Sequence, residues 1–429
     1  MTAHRQFARH IRPVAAPRRR ASARLWPARR LAAGLPGTVL GGAAAPRLPS
    51  VAEVVAAQAP PVPLHCLRPA TLEAASRRFV GAFPGSVLYA VKCNPQPAVL
   101  RALWAGGVRH FDAASAAEVA LVRGLLPAAR IHFMHPVKAR PAIADACRGY
   151  GVRDFAVDSA DEIAKVLEEA GGRPVGLMVR LALPKGGAVW DLSGKFGAPP
   201  AEAVSLLRQA RAVAGRCGLT FHVGSQCLDP GAWERALLLA GSVIAEAGTA
   251  PDVLDVGGGF PVPYDDAVPP PLDDFVAAIR RGVARLGLGP STELWCEPGR
   301  ALVAEAESVV VQVLARKGDA LHVNDGIYGS LSDAGPPGFR FPVRPVAAIG
   351  GPWMPFTVFG PTCDSMDRLK EPWWLPAGIG EGDWIEVGNI GAYGQALRTG
   401  FNGFDRALLA EVRDGPVPVA AVRPGARVA

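Results

Sequence analysis

Lys92 closes an apolar, strand-like run in SVLYAVKCNPQP (residues 86–97), and Pro95 breaks the backbone three residues later. A buried lysine loses the hydration of its ammonium and needs a partner. The position therefore reads in two ways: a loop lysine whose head reaches solvent, or an amine kept in a pocket as a nucleophile. Other ionisable groups stand at or near the ends of later strand-like runs: Asp112, His135, Asp158, Arg180, His222 and Glu297. Between the last two lies Gly257-Gly258-Gly259, in LDVGGGFP. Glycines lack a Cβ, so their N–H groups can approach an anion closely. Ser225 in HVGSQ and Arg300 in EPGR can add a hydroxyl and a guanidinium to the same anion. A flexible turn is the other reading of three glycines.

Such residues need a scaffold that gathers strand ends. From residue 86 the chain alternates apolar runs (SVLYAV, RHFDA, RIHFM, DFAVD, PVGLMVRLAL, LTFHVG, DVLDVG, ELWCE) with segments such as ADEIAKVLEEAGG and AEAVSLLRQARAVAG. The latter carry apolar residues at helical spacing with charges between. Continuous apolar strands suit a parallel sheet buried on both faces. Eight βα steps point to a closed (β/α)8 barrel of the TIM type, whose chemistry sits at the C-terminal strand ends. Strand counting does not separate that fold from a doubly wound open sheet. After about residue 306 the helical patterns fade into short strand-like runs bounded by Gly and Pro: DALHVNDGIYGS, FPVRPVAAI, PFTVFGPTCD and GDWIEVGNIGAY. The expected division is an Arg-rich extension over 1–47, a barrel over 67–306, and a β-sheet or β-barrel domain from 48–66 and 307–420.

Composition narrows the class. The net charge of +8 is misleading, because residues 1–52 hold ten Arg and no acidic residue, leaving 36 basic against 38 acidic residues elsewhere. A folded part of that balance has no nucleic-acid footprint. No apolar run reaches the ~18 residues of a membrane span. Seven cysteines without C-x-x-C spacing argue against a disulfide framework or a zinc site, and suit a reducing, cytoplasmic setting. The Arg-rich head has the composition either of an organelle transit peptide or of a disordered extension.

A lysine amine, a phosphate cup, an imidazole and a carboxylate together suggest pyridoxal 5'-phosphate, whose aldehyde takes a lysine and whose ring nitrogen wants an acidic partner. Over residues 60–405 the chain then resembles the fold-type III pyridoxal-phosphate decarboxylases, the ornithine/diaminopimelate/arginine decarboxylase group. The resemblance rests on YAVKCN, FDAASAAE, LSGKFG, HVGSQ, DVGGGFP, EPGR, NDGIYGS, GPTCDSMD and GAYG, in the family's order.

The resemblance implies a barrel plus a β-domain, and a role for each matched residue. Lys92 resembles the Schiff-base lysine, His222 the imidazole that stacks on the cofactor ring, and Glu297 the partner of the ring nitrogen. Ser225, Gly257, Gly258, Gly259, Arg300 and Tyr393 resemble the phosphate ligands. Asp112, Glu118 and Arg180 match positions lining the site. Cys363 and Asp364 resemble a pair that enters from the second subunit of a homodimer, the thiol protonating the product carbon and the carboxylate holding the substrate's far amine. YAVKCN and CDSMD look like the ornithine branch, since the diaminopimelate branch usually has Glu after that Cys. The reaction implied is decarboxylation of L-ornithine to putrescine, a step of polyamine biosynthesis. Lysine or another diamino acid is the alternative, and a non-catalytic relative or a racemase the more distant ones. One departure bears on substrate: eukaryotic ornithine decarboxylases carry a Tyr-Asp pair after NDGIYGS, which is missing at that spacing in NDGIYGSLSDAGPPGFRFP. Asp333 is the expected substitute.

Overall fold

The computed structural model describes residues 47–185, 188–189 and 194–419; the Arg-rich head lies outside them. Eight parallel strands close into a barrel. In chain order they are Ser86–Ala90, His110–Ala113, Arg130–Phe133, Asp154–Val157, Gly176–Arg180, Arg216–Thr220, Val253–Asp255 and Glu293–Cys296. The last pairs with the first, Ser86 opposite Trp295 and Val87 opposite Cys296. That closure decides for the barrel against the open sheet. Leu88, Met134, Ala156, Met178, Val253 and Trp295 form a buried cluster of their own, as expected of side chains filling a barrel interior.

Local chemistry sets the helices between the strands. Ser115 and Ser159 cap the helices Ala116–Leu125 and Ala160–Ala170, each hydroxyl accepting the N–H of a glutamate three residues on, Glu118 and Glu162. Gly171, in the left-handed conformation, ends the second of these. The sixth strand departs from expectation. The apolar run LTFHVG suggested residues 219–224, but the ladder spans Arg216–Thr220 and leaves His222 two residues beyond it. Gly218, which reads as a breaker, sits inside this strand, because a Cβ there would meet Met178 Sδ at 2.2 Å.

The second sheet has eight strands, Leu64–Leu67, Glu307–Lys317, Ala320–Val323, Val343–Pro345, Trp353–Phe359, Trp373–Pro376, Trp384–Val387 and Leu408–Glu411. The strand expected from residues 48–66 is found at Leu64–Leu67, antiparallel to Glu307–Val310 and parallel to Leu408–Glu411. The long strand Glu307–Lys317 leads directly out of the barrel and anchors the sheet through three neighbours. A helix, Val51–Gln58, precedes the first strand, and Val51, Val54 and Val55 pack with Leu64, Cys66 and Val310. It was not expected from sequence. Among the described residues no helix is long and apolar enough to cross a membrane, no group of His, Cys, Asp or Glu is placed to hold a metal, and all seven cysteines are free.

Candidate active site

Lys92 lies in a single 3-10 turn, Val91–Cys93, directly after the first strand. Its flanking residues are buried, but its own side chain is 46% exposed, so the amine stands in the open barrel mouth rather than sealed in the core. Nζ is 3.4 Å from Oδ2 of Asp112, which is buried on the adjacent strand. Asp112 raises the Lys92 ammonium above its ordinary range, against the opposing effect of burial. Glu118 serves its helix: Oε2 accepts the Ala114 N–H at 2.7 Å. Burial raises its carboxyl. Arg180 ends the fifth strand, and its charge bears on Lys92, His222 and Glu297. His135 packs edge-on against Phe196 at 5.0 Å. Asp158 Oδ2 accepts the Gly197 N–H at 3.0 Å. Both therefore hold the loop that carries the end of LSGKFG.

His222 Nδ1 accepts the Gly224 N–H at 2.9 Å, which fixes the neutral ring with its proton on Nε2. Burial first, then the charges of Arg180 and Lys92, keep this imidazole well below its ordinary range. The three glycines pack against the neighbouring chain. A Cβ would meet Phe221 O at 2.0 Å from Gly257, Glu297 O at 2.5 Å from Gly258, and Gly224 O at 2.3 Å from Gly259. Gly257 and Gly259 also have φ of +67° and +105°, which L side chains avoid. They are thus demanded by close backbone approach, not by flexibility. The Gly259 carbonyl accepts the Cys227 N–H at 3.0 Å, bringing the segment that carries Ser225 against this loop.

Arg300 is 4% exposed. It donates through Nη1 to the Tyr264 hydroxyl at 2.7 Å and through Nη2 to Asp333 Oδ2 at 2.9 Å, while Nε is buried without a partner. Its guanidinium lies 5.2 Å from the Tyr393 ring centre. Tyr393 takes φ +66° and donates its backbone N–H to Cys93 O at 2.9 Å, joining GAYG to the Lys92 turn. Asp333 needs correcting as a substrate contact. It is buried and committed to Arg300, because a guanidinium shut away from water must be neutralised nearby.

Glu297 is the most unusual group. It is 5% exposed, and its Oε1 is buried with no hydrogen-bond partner. Its carboxyl touches that of Asp255, which is fully buried and accepts the Gly257 N–H at 2.9 Å. Burial, then the charges of Asp255 and Asp112, push Glu297 well above the carboxylate range. Two buried carboxyls in contact cannot both ionise, so the pair holds a proton. Sequence reading missed Asp255, although it stands in LDVGGGFP at the end of an apolar strand. It also missed Tyr264.

Cys363 and Asp364 make their hydrogen bonds within the sheet domain. Cys363 is exposed, with its backbone N–H on Asn402 Oδ1 at 3.0 Å. Asp364 accepts the Tyr328 hydroxyl through Oδ2 and the Met366 N–H through Oδ1 at 2.9 Å. The Tyr328 hydrogen bond holds its carboxyl below the usual range. Their loop is pinned by buried Asp367, whose carboxylate accepts from Thr362 N, Thr362 Oγ1 and Ile327 N.

These residues fit pyridoxal phosphate on two observations. Glu297 Oε1 is buried without a partner, and the proton held by the Glu297–Asp255 pair is one that a ring nitrogen would take up and share with it. Gly258, Gly259 and the unpartnered Arg300 Nε offer N–H donors to a phosphate, the Gly257 N–H being used on Asp255 Oδ1. Residues 70–304 match the pyridoxal-binding domain of the pyridoxal-dependent decarboxylases. The chain belongs to that family. It is 36% identical over 339 residues to the lysine/ornithine decarboxylase of Selenomonas ruminantium, an alignment covering 77% of this chain and 84% of that one. It is 33% identical over 345 residues to the ornithine decarboxylase of Panagrellus redivivus, covering 74% and 78%. Among solved structures, the lysine/ornithine decarboxylase of Vibrio vulnificus complexed with putrescine superposes with a TM-score of 0.73 at 32% identity, over 84% of this chain and 96% of that one. The arginine decarboxylase of Paramecium bursaria Chlorella virus bound to agmatine gives 0.76 at 26% identity, over 84% and 99%. The cofactor of this decarboxylase is pyridoxal 5'-phosphate, and its substrates are basic amino acids.

Proposed function

We propose that the substrate is L-ornithine, converted to putrescine at a site shared between two subunits of a homodimer. The observation that carries this reading is Asp364: half-buried, its carboxyl held below the usual range by Tyr328, on a loop anchored by Asp367. Decarboxylation at Cα needs no negative group at the far end of the substrate. A pre-set carboxylate there serves recognition of a second, cationic amine. Because Cys363 stands exposed and Asp364 half-buried on the sheet domain, a partner's copy of this loop is the means of completing the barrel mouth.

Pyridoxal phosphate, when bound, supplies an aldehyde that condenses with amines and a ring that accepts the electron pair left by departing CO2. The protein's part is positioning and electrostatics. Lys92 would contribute the amine that holds the cofactor. Asp112 pairs with the Lys92 ammonium and orients it. His222 presents a neutral, flat ring beside Gly258. Glu297, backed by Asp255, would pair with the ring nitrogen, and Arg300, Ser225, Tyr393, Gly258 and Gly259 would hold the phosphate, with Gly257 shaping the loop through its N–H on Asp255. The partner's copy of the GPTCD loop delivers the Cys363 proton to Cα.

L-Lysine is the second reading, favoured by the likeness to lysine/ornithine decarboxylases. Steady-state kinetics with ornithine, lysine and norvaline test both. A hydrogen bond to a charged group contributes about 1.5–3 kcal/mol, or roughly 10- to 150-fold. Asp364→Ala should lower kcat/KM for ornithine by that factor with unchanged cofactor spectra. Equal use of norvaline, which lacks the far amine, would overturn the assignment, and a higher kcat/KM for lysine would favour the second reading.

A further inference from the structure

The opposite, N-terminal mouth of the barrel opens into a second cavity of about 580 Å³. It is formed by the first residues of the strands, among them Arg130, Asp154, Gly176, Arg216 and Glu293, and so lies at the other end of the barrel from Lys92. The volume is that of a site for a small organic ligand. Four arginines line it, Arg123, Arg130, Arg153 and Arg216, against two carboxylates. Both carboxylates are spent locally. Asp154 Oδ2 is 2.9 Å from His132 Nδ1, and Glu293 pairs with Arg216 at 2.6 Å. Arg123 is occupied by the carbonyls of Pro127 and Ala129, at 2.6 and 2.9 Å. Arg130 and Arg153 are exposed, and Arg153 uses Nη1 on the Pro174 carbonyl. The wall therefore carries uncompensated positive charge.

The cavity also has an ordered acceptor. His132 gives its Nδ1 proton to Asp154, so its Nε2 accepts from His110 Nδ1 at 3.0 Å. His110 is neutral at pH 7, because burial and then the charges of His132 and Arg130 push it down to about 4. The relay thus ends in a lone pair on His110 Nε2. The two imidazoles stack, and His132 meets Trp295 at 4.5 Å while the Arg216 guanidinium lies 5.0 Å from the same ring. This is more structure than a solvated rim requires.

We propose that the barrel floor is a binding site for a small anionic metabolite bearing phosphate or carboxylate groups. Arg130 and Arg153 would receive the anion through charge-assisted hydrogen bonds, and His110 Nε2 a hydroxyl or N–H donor on the same molecule. The proposal is independent of which amino acid is decarboxylated.

The probes are inorganic pyrophosphate and citrate, titrated calorimetrically into the full-length enzyme saturated with pyridoxal phosphate, so that the cofactor's own phosphate site is filled. The expected result is saturable binding of at least one probe, one per chain. Affinity should fall at least tenfold in Arg130→Glu/Arg153→Glu, since each lost charged contact is worth roughly tenfold or more. Both arginines are exposed, so melting temperature should not move. The milder Arg130→Gln/Arg153→Gln must show the same direction should charge reversal disturb folding. Preference for pyrophosphate would identify a phosphate ligand, and preference for citrate a carboxylate one. No saturable binding of either probe by the wild type, or binding that survives both double variants, would overturn the proposal.

Discussion

Removing the Asp333 carboxylate should act on stability and on the cofactor, not on recognition of the amino acid. Asp333 and Arg300 form an ion pair at 2.9 Å with side chains 6% and 3% exposed, so little solvent screens it. Asp333→Ala leaves the guanidinium buried with the Tyr264 hydroxyl as its one remaining hydrogen-bonded partner. Breaking one side of a buried pair costs about 3–5 kcal/mol. With unfolding entropy of ~2.1 cal/mol/K per residue over the ~370 described residues, the melting temperature should fall by about 4–6 °C. Asp333→Asn keeps an acceptor oxygen and loses only the charge, so its fall should be smaller. Arg300 would also lose its fixed orientation, and the dissociation constant of pyridoxal phosphate should rise in both variants. The assays are calorimetric melting of the cofactor-free and loaded protein, a cofactor titration, and the ratio of kcat/KM for ornithine to that for norvaline. That ratio should stay at its wild-type value. An unchanged melting temperature together with collapse of the ratio would refute the reasoning and return Asp333 to the substrate's far end.

Lys92→Ala should lose the borohydride-trappable cofactor label, read by mass spectrometry of the reduced protein; covalent label on another lysine would displace Lys92 from its role. Inactive Lys92→Ala and Cys363→Ala proteins, mixed and allowed to exchange, should recover roughly a quarter of wild-type activity if sites are shared across a two-fold dimer; proven exchange without recovery would put both residues in one chain's site. Stability should decline as pH falls from 6.5 toward about 4, partly through His110. The unfolded chain binds a proton there that the folded imidazole refuses, so the contribution has a slope of at most ~1.4 kcal/mol per pH unit. Denaturant titrations of His110→Gln across this range should show a shallower decline, and an identical slope in variant and wild type would contradict it.

The amino-acid sequence by itself determined the barrel's element order, because strands buried on both faces read as apolar runs and the helices between them carry apolar residues at helical spacing. It also determined the cofactor chemistry. Lys92, the three glycines, Glu297 and Arg300 are types whose spacing at successive strand ends has few other uses. Local pattern could not resolve where the sixth strand stops, since apolar Phe221 and Val223 lie outside the ladder in a segment that is nonetheless buried. Nor could it show that the glycines answer to backbone oxygens 2.0–2.5 Å from their absent Cβ atoms. The remaining decisions were tertiary because they concern pairs far apart in sequence. Asp255 gains its meaning from contact with Glu297. Asp333 is drawn inward by Arg300 rather than outward to a substrate. Cys363 is set on an exposed loop of the sheet domain, its backbone held by Asn402. Charge burial is a property of packing, so which carboxylate neutralises which cation was decided only when the chain closed.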